Sequence, residues 1–386
     1  MADVTIVGGG PVGATLALGL IDSGFRVEVL EARVSPEQPG DPRAIALSEG
    51  SRLILQRLGV WLDMEQHTTA IRTIHISQKN RFGRSVLRAE DYGHAALGYV
   101  VGYAELAAAI DLALQSSGVE VVRGARVTSV APAAEYCTVR FEQNGQASEK
   151  ETALAVVADG GRTLDVVPGL HRTVHEYGQS AVVARVEAAL PHEGVAYERF
   201  TPEGPIALLP WGEHAYALVW TAHPVRAEEL CRLDPAEFLT RCHAHFGDRA
   251  GKLMTVSGRA AFPLRLARVR PVTAPHLAII GNAAQTLHPV AGQGFNLGLR
   301  DAWELAGLSR STPQQTLGSE AMLKQYRAAR RVDTGGSMLF TDFLVRSFSN
   351  DLPVLGLLRG AGLVALELCA PARDFVTRKM SLGARG

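Results

Sequence analysis

The chain has 386 residues, 47% of them hydrophobic, which is enough for two or three folding units around a large core. Lysine plus arginine and aspartate plus glutamate each number 39, so the charge balance gives no sign of a nucleic-acid partner. The four cysteines lack the paired spacing of a disulfide framework or a zinc site. We therefore predict a cytoplasmic protein without a metal site.

The first thirty residues have the pattern of a strand, a glycine turn, a helix and a second strand. The predicted elements are a strand over 3–7, a helix over 11–23 and a strand over 26–30. Gly8 permits a tight turn, Gly10 lets a pyrophosphate approach the helix N-terminus, and Gly13 lets helix and strand pack closely. Glu31, at the end of the second strand, is placed to bind ribose hydroxyls. This βαβ unit predicts a dinucleotide site without distinguishing FAD from NAD.

A second glycine-rich loop lies near residue 290. An apolar strand predicted over 276–280 ends at Gly281, and a helical pattern runs over 295–308. Gly292 and Gly294 remove side chains just before this helix, so its first N–H groups can point at the negative charge of a reduced flavin. A simple NAD-binding domain has no reason to carry this second loop, so the two loops together predict FAD.

The second loop resembles the second flavin-binding motif of the group A flavoprotein aromatic hydroxylases, most of all the ubiquinone-biosynthesis hydroxylases of the UbiH/UbiF type. Asn282 stands where the aspartate of the usual Gly-Asp pair is found, and Thr163 stands where a serine is usual. The polar pattern expected after Val101 is broken by Gly102 and Tyr103. Further similar segments extend the likeness over nearly the whole chain: 41–48, 98–106, 158–163, 199–205 and 262–264.

The resemblance implies a set of site residues. Asp159 would serve the FAD pyrophosphate and the reducing nucleotide, and Arg43 would lie beside the flavin. The full set of cofactor-binding residues is Gly8, Gly10, Pro11, Val12, Gly13, Glu31, Ala32, Arg33, Arg43, Asp159, Gly281, Asn282, Pro289, Gly292, Gly294, Phe295 and Asn296. The residues implied at the reactive edge are His288, Pro289, Gly292 and Gln293.

Two roles stay open at this point. His288 either transfers a proton or shapes the loop beside Pro289. The group that activates a phenol substrate is unassigned, with Tyr197 and His214 as candidates.

The implied fold is α/β: a Rossmann-like FAD-binding domain, an inserted mixed β-sheet substrate domain and a C-terminal helical segment. The predicted boundaries are 1–70, 98–170 and 258–310 for the first, 71–97 and 171–257 for the second, and 311–386 for the third. Within the last, an apolar stretch over 354–370 is broken by Arg359 and Glu367 and is too short to span a bilayer. It is either a helix packed on the flavin domain or a surface that contacts the inner face of a membrane.

The resemblance implies an FAD-dependent monooxygenase. NADPH or NADH would reduce FAD, O₂ would form the flavin C4a-hydroperoxide, and one oxygen would pass to the ring of a polyprenylated phenol, with 2-polyprenyl-6-methoxyphenol as the expected substrate. Other proteins of a ubiquinone-biosynthesis complex are the expected partners. One alternative is a hydroxylase of a soluble aromatic acid, whose carboxylate Arg185 or Arg199 would hold. The other is a flavin-binding component of a complex without turnover of its own.

Overall fold

The computed structural model describes residues 2–35, 43–288, 292–348 and 353–383. The helices are α1 (Pro11–Gly19), α2 (Glu49–Arg57), α3 (Trp61–Met64), α4 (Tyr103–Ser116), α5 (Pro224–Arg232), α6 (Pro235–Phe246), α7 (Gln293–Arg310), α8 (Glu320–Phe348), α9 (Pro353–Leu368) and α10 (Ala370–Leu382). The strands are β1 (Ala2–Val7), β2 (Val27–Glu31), β3 (Ala44–Ser48), β4 (Thr69–Ile71), β5 (Thr73–Gln78), β6 (Arg84–Arg88), β7 (Gly98–Gly102), β8 (Glu120–Arg123), β9 (Arg126–Pro132), β10 (Cys137–Gln143), β11 (Gln146–Val157), β12 (His171–Ala188), β13 (Val195–Thr201), β14 (Gly204–Trp211), β15 (Ala215–Ala222), β16 (Leu253–Arg270), β17 (Thr273–Ala274), β18 (Leu277–Ile279) and β19 (Gln285–Thr286).

The first sheet is built on parallel strands in the order β18, β11, β1, β2, β8. Their central residues are aliphatic and fully buried, as Val4, Ile6, Val29 and Val156 show. This composition is typical of a parallel sheet covered on both faces. Strands β9, β10 and β17 add antiparallel pairs to it. Since ligands bind at the carboxyl ends of such strands, this edge is where the cofactor is expected.

The second sheet has the order β19, β16, β12, β15, β14, β13, β5, β6. One face carries a core that includes Trp220, packed against Phe238 and Phe246 of helix α6. The strands within 71–97 and 171–257, the ranges predicted for the sheet domain, all join this sheet. Strand β16 continues it beyond residue 258, where a domain boundary was predicted, so residues 258–270 pair in the second sheet. The division into domains stays a prediction.

A small third sheet has the strand order β3, β7, β4. Its buried residues pack against both large sheets, Val100 against the second and Val101 in the core of the first. Ser48 ends β3 and caps helix α2 by accepting a hydrogen bond from the Ser51 N–H at 3.3 Å. Helix α1, predicted to reach Ser23, ends at Gly19 because the chain tightens into a 3₁₀ turn that closes at Gly24 with φ of +78°.

Helices α8, α9 and α10 form the C-terminal region, which is helical as predicted. Helix α9 lies on the edge strand β6, where the Glu367 carboxylate accepts a hydrogen bond from the Val86 N–H at 2.8 Å. The approach is close, because a β-carbon added to Gly83 would lie 2.5 Å from the Gly360 carbonyl oxygen. None of the helices in the described residues is both long and apolar enough to cross a bilayer.

Candidate active site

A large cavity of about 1480 Å³ reaches from the first sheet to the second. Its inner end lies where the parallel strands β1, β2 and β11 finish, at Gly8, Glu31 and Asp159. The N-termini of helices α1 and α7 line the same end. The parallel sheet therefore brings the two glycine loops of the sequence into one place.

Three glycines leave open space at this end of the cavity. A β-carbon added to Gly10, Gly160 or Gly294 would meet no atom of the described residues within 4 Å, although all three glycines line the cavity. Two others serve packing, because a β-carbon on Gly13 would lie 2.0 Å from the Gly8 carbonyl oxygen and one on Gly8 would lie 2.7 Å from the Asp159 Cα. The first group thus forms a cradle for a ligand, and the second joins the segments that build it.

Glu31 is buried and ionised at the end of β2. Its carboxylate accepts hydrogen bonds from the N–H groups of Gly9 and Arg33, both at 2.8 Å, and forms an ion pair with the Arg33 guanidinium at 3.0 Å. Burial alone would raise the pKa of Glu31, but these contacts with Arg33 and Gly9 hold it below its usual value. Both Glu31 and Arg33 line the cavity, in keeping with the predicted ribose contact.

The segment after β11 is a closed turn held by Asp159. The carboxylate accepts hydrogen bonds from the N–H groups of Gly161 at 2.9 Å and Thr163 at 2.7 Å. Asp159 also lines the cavity, so the turn and the implied ligand contact coexist. Arg43 stacks on the Tyr103 ring at 4.6 Å, and both line the cavity. Tyr103 departs from the sequence pattern of the family, and the structure shows that its ring stacks on Arg43. Residues 41 and 42 lie outside the described residues.

Asp301 holds the second glycine loop in place. This fully buried carboxylate accepts hydrogen bonds from the Gly281 N–H at 2.9 Å and the Gln285 amide at 2.7 Å, and it forms an ion pair with Arg330 of α8. Gly281 has φ of +61°, which favours glycine, and a β-carbon there would lie 3.0 Å from Val12 of α1. Asp301 thus fixes the loop conformation that a side chain at 281 would disturb.

Asn296 locks the start of helix α7 to strand β3. Its Oδ1 accepts hydrogen bonds from the Ser48 N–H at 2.8 Å and the Ser51 hydroxyl at 2.7 Å. Its Nδ2 donates to the carbonyls of Ala46 at 2.9 Å and Gly292 at 2.7 Å. The amide is fully satisfied by these four bonds, and Asn296 is not among the residues that line the cavity.

His288 and Gln293 are both buried beside the cavity without lining it. His288 is 0% exposed and packs edge-on against the Tyr177 ring at 5.3 Å. Burial lowers its pKa to about 4, so the imidazole is neutral at physiological pH. The Gln293 amide donates to the Met380 carbonyl at 3.4 Å. Pro289, named with them, lies outside the described residues.

The cavity therefore gathers most of the implied cofactor residues. Those lining it are Gly8, Gly10, Pro11, Val12, Glu31, Ala32, Arg33, Arg43, Asp159, Asn282, Gly292, Gly294 and Phe295. Those behind the lining are Gly13, Gly281 and Asn296, which hold its shape. Open space at the glycines and two helix N-termini fit a flavin dinucleotide, which needs close backbone approach and positive partial charge.

The outer half of the cavity runs along the second sheet, and its residues are mostly aliphatic. Alternation on β13 turns Ala196, Glu198 and Phe200 toward the cavity. Glu198 was missed by the sequence analysis. The signal was present, since it is a lone charged residue at a period of two between apolar residues on a strand.

Of the residues proposed earlier for the substrate, Tyr197 lines the cavity, whereas His214, Arg185 and Arg199 do not. The Tyr197 hydroxyl donates to the Arg249 carbonyl at 2.6 Å, on the helix-covered side of the sheet. His214 is exposed near Glu213. Arg185 stacks on Trp211 at 4.8 Å, and neither Arg185 nor Arg199 lines the cavity.

The cavity ends among the C-terminal helices, at Phe343, Leu358, Leu363 and Met380. Phe343 and Leu358 are also 60% and 62% exposed to solvent, so they stand at its mouth. Within the described ranges, no group of three or more histidine, cysteine, aspartate or glutamate residues is arranged to hold a metal ion.

Comparison with known proteins gives the family. A model of the FAD binding domain family matches residues 1–334. Ubiquinone hydroxylase UbiL of Rhodospirillum rubrum is 34% identical to 98% of this chain and 89% of its own. The 3-demethoxyubiquinol 3-hydroxylase of Escherichia coli is 30% identical over 95% of this chain and 94% of its own. The crystal structure of p-nitrophenol 4-monooxygenase PnpA from Pseudomonas putida DLL-E4 has the same fold, with a TM-score of 0.77, 16% identity and coverage of 100% and 99%. The chain therefore belongs to the FAD-dependent monooxygenases, in the family that includes the ubiquinone-biosynthesis hydroxylases, and its cofactor is FAD.

Proposed function

We propose that this protein hydroxylates the aromatic ring of a prenylated phenol in ubiquinone biosynthesis, with NADPH or NADH as the electron donor. The observation that carries the proposal is the continuous cavity, which runs from the glycine cradle along an aliphatic sheet face to a mouth at Phe343 and Leu358. An aromatic head group would lie where the cradle meets the sheet face, and an isoprenoid tail would follow the aliphatic wall from there to the mouth. The names of the relatives, ubiquinone hydroxylase and 3-demethoxyubiquinol 3-hydroxylase, agree with this substrate class.

The chain's part in the reaction is to bind, orient and exclude water. FAD supplies the redox chemistry and activates O₂ when it is bound. Gly10 and the start of α1 would hold its pyrophosphate, and Glu31 its ribose. The start of α7, at Gly292 and Gly294, presents N–H groups that would stabilise negative charge on the reduced ring. The aliphatic outer wall would keep bulk water from the reacting carbon.

A soluble aromatic acid is a weaker candidate for the substrate. Such a substrate needs a cation to hold its carboxylate. Arg185 and Arg199, which kept this alternative open, lie outside the cavity lining. Five other arginines of the described residues line the cavity, but Arg33, Arg43 and Arg126 are already engaged by Glu31, Tyr103 and Glu142. An acid would therefore have to use Arg162 or Arg359.

We also propose that the mouth of the cavity rests on a membrane surface. Helices α8 to α10 expose large apolar side chains, namely Leu339, Phe343, Leu357, Leu358, Leu368 and Phe375, of which Phe343 and Leu358 line the cavity. Residues 353–383 also carry an excess of basic side chains, Arg359, Arg373, Arg378 and Lys379 against Glu367 and Asp374. An exposed apolar patch beside basic residues is typical of a peripheral contact with anionic lipid.

The catalytic proposal is tested with FAD-loaded protein, donor and a series of phenols that share one head group and differ in tail length. We expect hydroxylated product, found by mass spectrometry, with kcat/KM rising as isoprene units are added. Mass spectrometry of lipid extracts from a strain lacking the gene gives the physiological substrate and the ring position. A normal ubiquinone profile in that strain, or equal rates with tailless phenol, would contradict the proposal.

The membrane proposal is tested by sedimentation with vesicles of phosphatidylethanolamine and phosphatidylglycerol. Leu357 and Leu368 are 58% and 80% exposed and do not line the cavity, so L357E/L368E should reduce binding and leave the hydroxylation of a tailless phenol unchanged. Val225→Glu is the matched control, because this residue is 75% exposed on α5, on the other face of the second sheet. Equal binding by both variants would refute a contact at α9.

A further inference from the structure

Glu198 is a carboxyl group on an otherwise aliphatic wall. It lies directly opposite Ile76 of β5 and Ala207 of β14, with Ala196 and Phe200 beside it on the same strand face. All five residues line the outer half of the cavity. A carboxyl group in such surroundings loses its hydration, and the apolar neighbours offer it no hydrogen bond in return.

One oxygen of this carboxyl group has no hydrogen-bond partner among the described residues. This atom, Oε1, is enclosed. The neighbouring Arg199 points away through the other face of β13, where its guanidinium donates to the Ser77 hydroxyl at 3.4 Å. An enclosed carboxyl oxygen without a partner needs an explanation, and a bound ligand that donates a hydrogen bond is a sufficient one.

Burial raises the pKa of Glu198 to about 7. An ordinary glutamate is a weak base, with a pKa near 4.5, whereas a carboxylate titrating near neutral pH can both take and return a proton. The same aliphatic neighbours that line the path of the substrate cause this shift.

We propose that Glu198 accepts the hydrogen bond of the substrate's phenol hydroxyl and takes its proton as the ring is hydroxylated. This inference rests on the proposed function. The phenol O–H bond breaks and an Oε–H bond forms, and the electron pair left on the phenol oxygen makes the ring carbons ortho and para to it more nucleophilic. The hydroxylated carbon then loses its hydrogen as a proton to solvent, the ring regains aromaticity, and the phenol oxygen recovers the proton that Glu198 holds.

No other side chain suggested for this role is placed to perform it. The Tyr197 hydroxyl is occupied by a backbone carbonyl behind the sheet, and His214 does not line the cavity. His288 is neutral and packed behind the cofactor loop. Glu31 and Asp159 lie at the opposite end of the cavity, where backbone N–H groups already bind their carboxylates.

The test compares Glu198→Gln with Glu198→Asp in FAD-loaded protein, with Glu187→Gln as the matched control. Glu187 is an exposed glutamate on β12 of the same sheet, outside the cavity lining. We expect E198Q to bind FAD normally and to lower kcat for the prenylated phenol by roughly 100-fold. In the wild type and E198D, kcat should fall on the acid side of pH 7 as the carboxylate is protonated. E198Q should lack this limb, and E187Q should match the wild type.

The O-methyl ether of the same phenol supplies a second readout, since it has no proton to transfer. The wild type and E198Q should consume it at equal low rates. The inference is overturned when E198Q hydroxylates the phenol within threefold of the wild type with the same pH profile, or when E198Q slows the phenol and the ether by the same factor. Failure of the wild type to hydroxylate any prenylated phenol would instead refute the proposed function.

Discussion

Gly10 and Gly13 make the sharpest test of the cofactor site, because a methyl group added to one should have the opposite consequences of a methyl group added to the other. Gly10 has φ of −66° and ψ of 173°, which any residue adopts, and its β-carbon would meet no protein atom within 4 Å. We therefore expect Gly10→Ala to change the free energy of unfolding of the FAD-free protein by no more than about 1 kcal/mol. The methyl group would occupy cradle space beside the pyrophosphate, and FAD should bind about 30-fold more weakly, a loss of ~2 kcal/mol.

Gly13→Ala should do the reverse. Its β-carbon would lie 2.0 Å from the Gly8 carbonyl oxygen, so helix α1 must move away from the turn after β1. Overpacking of this severity destabilises a protein by about 3 kcal/mol, and here the loss should appear in the FAD-free protein. Gly307→Ala is the control: it lies within α7, has no neighbour within 4 Å of its β-carbon, and should add about 0.5 kcal/mol of stability without affecting FAD.

Both quantities are measured on the same proteins. FAD is removed, urea unfolding of the FAD-free protein gives the free energy of unfolding, and quenching of FAD fluorescence gives the dissociation constant. The reasoning is refuted when Gly10→Ala binds FAD as tightly as the wild type. It is equally refuted when Gly10→Ala and Gly13→Ala destabilise the FAD-free protein to the same extent.

Four further changes test the packing and the buried charges. Asn296→Leu removes four hydrogen bonds and should lower the free energy of unfolding by about 3 kcal/mol in urea titrations, whereas equal stability would show that water replaces the amide. Asp301→Asn leaves Arg330 buried without a full countercharge and should cost about 3 kcal/mol by the same measurement, with Asp301→Glu as the charge-conserving comparison. The pKa of His288 is lowered to about 4 from 6.5, so stability should fall by up to ~3 kcal/mol as pH falls through this range, and His288→Gln should flatten that profile of Tm against pH. The pKa of Glu198 is raised from 4.5 to about 7, so stability should fall by up to ~3 kcal/mol as pH rises between these values, and Tm of E198Q should not show this loss.

The features that the sequence predicted well are those that depend on residues close together in the chain. The turn after β1 and the start of α7 each depend on residues within a few positions of one another, and each was located to within two residues. The family resemblance then placed both glycine loops at one cofactor. Helix ends were less accurate, because the end of α1 depends on a tightening at Leu20 that no residue type announces.

Contacts between distant segments could not be predicted in the same way. Asn296 was expected to touch the cofactor, yet its amide is occupied by Ser48, Ser51 and two carbonyls, three of these partners lying more than 240 residues away in the sequence. Asp301 had no role assigned from the sequence, and its hydrogen bond to Gly281 becomes evident only in the folded structure. Motif residues thus divide into those that line the cavity and those that shape it, and their spacing in the sequence does not distinguish the two.

The aliphatic wall of the cavity affects both substrate selection and proton transfer in the proposed reaction. Residues such as Ile76 and Ala207 would favour an isoprenoid tail over water by about 25 cal/mol for each Å² of apolar surface buried. The same residues deprive the Glu198 carboxyl of hydration and raise its pKa to about 7. Replacing Ala207 with Ser would add a hydroxyl beside Glu198, so the pKa of the acid limb should fall while the preference for long tails weakens. Parallel shifts of these two properties in A207S would show that substrate selection and proton transfer share one physical cause, and a change in only one of them would separate the two.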